Sequence, residues 1–239
     1  MIQARNPLYC ALDTGDLAAA LQLATTLRDI VGGFKLGLEF FTALGPAGVG
    51  KIAALGLPLF IDLKLHDIPN TVAGAVRSLM PLGPAILTVH TAGGIEMMQA
   101  ARRAAEESAG RLGMDVPWIV GVTLLTSLDA GDLDALGIEG STHRVVARLT
   151  RLAEKAGLDG IVCAPYEVST ARSTTGEGFR IIVPGIRPHG AAAHDQKRVM
   201  TPEEAVAAGA DVIVVGRPIT TATDPAMAAQ AIVAAITPS

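Results

Sequence analysis

Eight short β-rich runs recur along the chain with helical stretches between them, and this alternation limits the fold more than any other feature. The runs are residues 8–13, 33–38, 59–64, 85–90, 118–123, 160–164, 180–185 and 212–217. Most are near-continuously apolar, as strands covered on both faces must be. Between the first two, Leu17, Ala20, Leu21, Ala24, Leu27 and Val31 follow helical spacing, and Gly32 is placed to cap the end. Thr201-Pro202-Glu203-Glu204 offers a Thr cap, Pro at the first helical position and Glu at the third. A βα unit takes about 30 residues, so eight need about 250; the chain has 239. The expectation is an α/β protein, a single-domain (β/α)8 TIM barrel over residues 1–239. A doubly wound open sheet would normally carry a glycine fingerprint after its first strand, which Asp13-Thr14-Gly15-Asp16 does not supply.

Composition removes several classes of function. Half the residues are hydrophobic and 18% charged, which is not the balance of a disordered chain. Lys and Arg number 19 against 23 acidic residues, and the aromatics are one Trp, two Tyr and five Phe. A nucleic-acid partner is not expected from that, since it calls for a basic stripe with stacking rings. No apolar stretch approaches the roughly 18 residues of a membrane span. Residues 1–7 run straight into the first strand, so no signal peptide is expected. Cys10 and Cys163 lie inside apolar runs, without metal-like spacing, and read as buried free thiols in a reducing compartment. A cytoplasmic location follows as an expectation.

In such a barrel the chemistry gathers at the C-terminal ends of the strands. Asp13 closes the first run, Lys35 sits within the second, and Asp62 and Lys64 end the third. Side chains two apart on a strand share a face, so Asp62 and Lys64 should both face the barrel axis while Ile61, Leu63 and Leu65 face the helices. Four charges at one mouth stabilise a core poorly, because desolvating each costs several kcal/mol. They build an electrostatic site well.

A second constellation lies at the last two runs, in Pro184-Gly185-Ile186-Arg187-Pro188 and Gly216-Arg217-Pro218-Ile219. Barrels commonly bind phosphate there, and Gly216 with Arg217 forms a candidate anion site. The polar segment 187–200 between them reads as a closing lid. Its His189, His194 and Asp195 make a poor metal cage, so no metal is expected; His66 and His143 lack evident partners.

The run Asp62-Leu63-Lys64-Leu65-His66-Asp67-Ile68-Pro69-Asn70-Thr71 resembles the Asp-x-Lys-x-x-Asp signature of the orotidine 5′-phosphate decarboxylase family, in its bacterial form. Further likeness lies, in order, at residues 11–13, 34–39, 122–127, 184–188, 195–198 and 215–219. Sugar-phosphate members of the same superfamily share the signature but carry a Glu on the second strand, which with the third-strand Asp holds Mg²⁺; this chain has Lys35 there. Thr91-Ala92-Gly93-Gly94 departs slightly from the Ala-Ser that often precedes these glycines.

The resemblance implies cofactor-independent decarboxylation of orotidine 5′-monophosphate to UMP, in pyrimidine biosynthesis. It implies that Lys64 stabilises and protonates the C6 carbanion, with Asp62, Lys35 and Asp67 completing an alternating catalytic array. Asp13 and Lys35 fall on the positions that hold the ribose, Thr126 on one that contacts the pyrimidine, and Gln196 on one that spans phosphate and base. Gly216 and Arg217 fall on the phosphate site, and Arg187 on a substrate-facing position. The rest of the signature run, Leu63, Leu65, His66, Pro69 and Asn70, is carried into the substrate site with it. The resemblance also implies a homodimer, in which Asp67, Ile68 and Thr71 reach the neighbouring site. A Mg²⁺-dependent sugar-phosphate enzyme and a non-catalytic nucleotide-binding barrel remain the alternatives.

Overall fold

The computed structural model describes residues 6–176, 178–188 and 200–237. Its first half holds β1 (Leu8–Ala11), α1 (Leu17–Leu27), β2 (Gly33–Leu36), α2 (Leu38–Ala53), β3 (Leu59–Leu65), α3 (Pro69–Leu79), β4 (Ile86–His90) and α4 (Gly94–Leu112). The second holds β5 (Trp118–Val122), α5 (Ala130–Ala135), α6 (Thr142–Lys155), β6 (Gly160–Val162), α7 (Val168–Arg172), β7 (Arg180–Pro184), α8 (Pro202–Ala207), β8 (Val212–Val215), α9 (Arg217–Thr220) and α10 (Pro225–Ile236). Each strand pairs in parallel with the next, and β8 pairs with β1, so the sheet closes into the expected (β/α)8 barrel.

The pleat sorts the apolar residues into two layers. Tyr9, Ala11, Phe60, Val120, Ile182 and Val214 belong to one buried cluster inside the barrel. Their sequence neighbours Leu8, Cys10, Ile61, Ile119, Val183 and Val215 belong to the other, between strands and helices. Alternation of period two within near-continuous apolar runs produces both layers at once. Cys10 and Cys163 are buried and unbridged, and burial pushes the Cys10 thiol up to about 12. Among the described residues, no helix is long and apolar enough to cross a membrane.

Three local expectations need adjusting. β1 stops at Ala11 and β8 at Val215, so Asp13 stands in the loop past β1 and Arg217 opens α9. Leu38 starts α2 rather than ending β2. Gly32 does not cap α1: the helix ends at Leu27, and the Gly32 N–H donates to the Leu8 carbonyl at 2.8 Å. A tight turn after Leu27 supplies the stop, with Val31 N–H returning to the Leu27 carbonyl, and Val31 is buried as an anchor rather than as a helix residue. The expected capping box at α8 is present, with Thr201 and Glu204 exchanging side chain-to-backbone hydrogen bonds.

Two aspartates tie strands and helices together at the base of the barrel, away from the mouth. Asp159 accepts the Ile119 N–H at 2.8 Å and pairs with Arg102 of α4. Asp211 accepts the Ile181 N–H at 2.8 Å and pairs with Arg172 of α7 at 2.6 Å. The interior of that end is filled by Tyr9, which requires the missing side chain of Gly33: a Cβ there would lie 2.3 Å from the Tyr9 ring and 2.7 Å from the Pro58 carbonyl oxygen. Gly33→Ala is therefore expected to lower stability by about 1–3 kcal/mol, as overpacking does; urea unfolding of the two proteins measures it.

Candidate active site

The mouth of the barrel opens onto a cavity of about 470 Å³, lined among others by Asp13, Lys35, Asp62, Lys64, Thr126 and Arg217. The strand-end charges meet there as a line of alternating sign. Lys35 Nζ lies 2.9 Å from Asp13 Oδ1 and 3.8 Å from Asp62 Oδ2, and Lys64 Nζ lies 2.9 Å from the same Asp62 oxygen. Exposure is graded along it: the Asp62 and Lys35 side chains are 11% and 10% exposed, Lys64 is 30% and Asp13 47%. The middle of the line is thus fixed in protein, while the Lys64 ammonium keeps one side toward the cavity. Ion pairs in such a setting gain more from one another than they do in water.

The flat alternation that brings Asp62 and Lys64 to one face is not how the structure joins them. The step from Ile61 to Leu65 on β3 matches only the step from Leu87 to Val89 on β4, so β3 bulges between them. Lys64 sits in the bulge at φ 51°, the one positive φ at a residue other than glycine among the described residues. Such a conformation costs of order 1–3 kcal/mol and persists only where the surroundings enforce it. Its backbone N–H donates to the Thr88 hydroxyl at 2.8 Å, and that hydroxyl lies 3.1 Å from Asp62 Oδ1. Leu63 and Leu65 pack against the helix-side layer, as the pleat requires, and neither lines the cavity.

The remainder of the signature run leaves the cavity altogether. His66, Asp67, Ile68, Asn70 and Thr71 are exposed and Pro69 is half-buried as α3 begins. Asp67 accepts its own neighbour's N–H, from Ile68, at 2.7 Å, and the Ile68 side chain is 67% exposed. His66 does have a partner: its ring stacks on His90 with centroids 5.2 Å apart and planes 22° apart. His143 lies 3.4 Å from the Thr170 hydroxyl.

Past the ends of β7 and β8, Arg187 and Arg217 both line the cavity with Gly185 and Gly216. Arg187 is 7% exposed, and its Nε is buried with no partner among the described residues. Burial, and then the Arg217 charge, pull its pKa below the usual arginine value. A Cβ on Gly216 would meet only the Ala11 methyl, at an ordinary 3.5 Å, which leaves the cavity side open. The Arg187 N–H donates to the Met200 carbonyl at 3.0 Å and clasps the two ends of the segment between them. Gln196, His189, His194 and Asp195, with the lid expected there, lie outside the described residues.

Several site residues escaped the sequence reading. Thr88 carried no signal beyond a polar residue in an apolar strand. Glu39 and Cys163 line the cavity, Glu39 from the first turn of α2 and Cys163 from just past β6. Gly37 carried a signal only in hindsight: a Cβ there would lie 2.8 Å from Lys35 Nζ and 2.9 Å from Asp13 Oδ1, so the glycine makes room for that ion pair.

Residues 6–232 match the profile of the "Orotidine 5'-phosphate decarboxylase / HUMPS family". The chain is 53% identical over 224 residues to the orotidine 5′-phosphate decarboxylase of Paramagnetospirillum magneticum, covering 94% of this chain and 95% of that one. It is 50% identical to the enzyme of that name from Moorella thermoacetica, covering 98% and 94% of the two chains. In structure it resembles the crystal structure of orotidine 5′-phosphate decarboxylase from Lactobacillus acidophilus, with a TM-score of 0.86, 33% identity, and coverage of 98% of this chain and 100% of that one.

Two outcomes follow from this geometry. Gly37→Ala displaces the Lys35–Asp13 pair and is expected to weaken ligand binding at the mouth while leaving the urea midpoint nearly unchanged, since the clash falls on flexible side-chain ends. His90 is held below its usual 6.5 by burial, then by His66 and Lys64. The unfolded chain therefore takes up this proton first, so stability is full above about pH 6.5 and falls as pH drops through the folded value. His90→Gln should flatten that part of the stability–pH curve measured by urea unfolding.

Proposed function

The chain belongs to the orotidine 5′-phosphate decarboxylase / HUMPS family, and from that premise we propose that it decarboxylates orotidine 5′-monophosphate to UMP without a cofactor. The observation that carries this reading is the alternating line Asp13–Lys35–Asp62–Lys64, with its terminal ammonium facing the cavity.

In the reaction the C6–carboxylate bond breaks and CO₂ leaves. The electron pair stays on C6 as a poorly delocalised carbanion, and a proton from the Lys64 ammonium takes its place; solvent then reprotonates the lysine. A cation at about 4 Å from that carbon is worth about 4 kcal/mol at an effective dielectric of 20, or roughly a thousandfold if felt only in the transition state. That is too little for the whole acceleration, so orientation and the exclusion of water must supply the rest. Asp62 has a second use beside aiming Lys64. On this reading the substrate carboxylate sits beside that of Asp62, and a charge that leaves as neutral CO₂ relieves the crowding.

Phosphate binding belongs to the ends of β7 and β8. Arg217 grips the anion, the Arg187 Nε, without a partner among the described residues, is a further donor, and the open face of Gly216 lets the ligand close on the backbone. Binding energy gained there, remote from C6, can appear in turnover as well as affinity. Asp13 and Lys35 hold the ribose and Thr126 the pyrimidine edge, with Gln196 bridging base and phosphate from 187–200. The exposed edge at Asp67, Ile68 and Thr71 is the proposed dimer surface, through which Asp67 extends the charged array of the partner subunit. The buried free thiols agree with work in the cytoplasm.

The sugar-phosphate branch of the family needs a divalent cation near Asp62. Two ammonium groups already crowd this carboxylate at 2.9 and 3.8 Å, and both would repel such an ion.

Loss of the orotate chromophore, followed on mixing the protein with orotidine 5′-monophosphate and EDTA, tests the reading; no turnover, or turnover only after Mg²⁺ is restored, would overturn it. Lys64→Ala should abolish turnover and still bind UMP. Arg217→Ala should weaken UMP binding by about 10–10²-fold, the worth of a charged hydrogen bond, and leave uridine binding little changed. Equal losses for the two ligands would argue against a phosphate clamp.

A further inference from the structure

We propose that Thr88 is a positioning residue for the reaction: its hydroxyl holds the backbone of Lys64 in the bulge and thereby aims the ammonium. Thr88 is 1% exposed and points into the barrel from β4 between Leu87 and Val89, the two residues that face the ends of the β3 bulge. Its oxygen lies 2.8 Å from the Lys64 backbone nitrogen and 3.1 Å from Asp62 Oδ1. The direction of both bonds is set by chemistry. An amide N–H only donates and an ionised carboxylate only accepts, so the hydroxyl accepts from Lys64 and donates to Asp62.

The consequence is a closed loop. Asp62 grips residue 64 at its side-chain end, with Oδ2 2.9 Å from Nζ, and at its backbone end, through Thr88 on Oδ1. Neither contact alone would fix the lysine. The side chain has four rotatable bonds between backbone and ammonium, and the left-handed backbone would relax toward an ordinary conformation if its N–H were released. With both ends tied to one buried carboxylate, the carboxylate and the ammonium keep a set separation while Nζ stays open to the cavity.

A purely structural role makes a different prediction. Ile86 precedes Thr88 on the same face of β4, and valine has the shape of threonine, so it fits the same space. Thr88→Val removes the hydroxyl and little else. The kinetic consequence rests on the decarboxylase reading of the site; the effect on the Lys64 amide does not.

The test uses the purified full chain and its Thr88→Val and Thr88→Ser variants. Three quantities are compared: kcat and KM for orotidine 5′-monophosphate, UMP affinity by calorimetry, and hydrogen exchange of the Lys64 amide by NMR. Thr88→Val should lose about 10–10²-fold in kcat, the worth of a hydrogen bond to a charged group, with KM and UMP affinity changed by less than about threefold. Its Lys64 amide should exchange faster. Thr88→Ser, which keeps the hydroxyl, should restore both. Should Thr88→Val fail to fold, Thr88→Ala replaces it in the same comparison with serine. Wild-type kcat in the valine variant, equal impairment of valine and serine, or parallel losses of kcat and UMP affinity would each overturn the proposal. If the wild-type protein does not turn over the nucleotide, the decarboxylase reading fails, and an unchanged Lys64 amide in Thr88→Val decides against Thr88 independently.

Discussion

The Asp62 carboxylate is the contact on which the mouth of this barrel is organised. It is nearly buried, and an isolated carboxylate in that position would be costly to desolvate. Both oxygens are engaged: one by Lys64 with Lys35 near, the other by the Thr88 hydroxyl. Each partner in turn needs a feature elsewhere. Lys35 needs the empty side of Gly37 to reach Asp13, and Lys64 needs a bulge in β3. The strained Lys64 and the crowded charges stand above a base packed around Tyr9 and tied by Asp159 and Asp211.

Two groups of charge line the cavity. Asp13, Lys35, Asp62 and Lys64 alternate in sign, so a ligand gains from them only where its own charge is placed correctly. Arg187 and Arg217 follow β7 and β8, and burial leaves the Arg187 Nε without a partner among the described residues. On the proposed reading the arginines hold an anionic group while the reacting carbon meets the alternating line, which suits a nucleotide whose phosphate is far from that carbon.

Much of this is legible in the sequence. All eight strands follow from apolar runs, because a strand covered on both faces cannot hide its composition. The charged strand ends were visible for the opposite reason: Asp13, Lys35, Asp62 and Lys64 interrupt those runs. What escaped was local backbone geometry. No pattern announces a bulge at Lys64, since lysine has no preference for positive φ, and the rule that residues two apart share a face reached the right pairing over the wrong path. Thr88 looks like an ordinary β-branched strand residue, and Gly37 like part of the second strand run. Gly32 was misjudged as a cap because a tight turn ended α1 earlier. The residues beyond Leu65 carry the signature but face outward, so a single chain leaves them without the contacts that the family likeness assigns.

The central claim is that an ammonium, steadied from both ends, waits beside a carbon that turns anionic. A crystal structure with UMP bound measures this directly. The expected result is Lys64 Nζ in contact with C6 of the pyrimidine and still paired with Asp62, the phosphate lying on Arg217. A nucleotide seated in the cavity with the Lys64 amine turned away into solvent would contradict it.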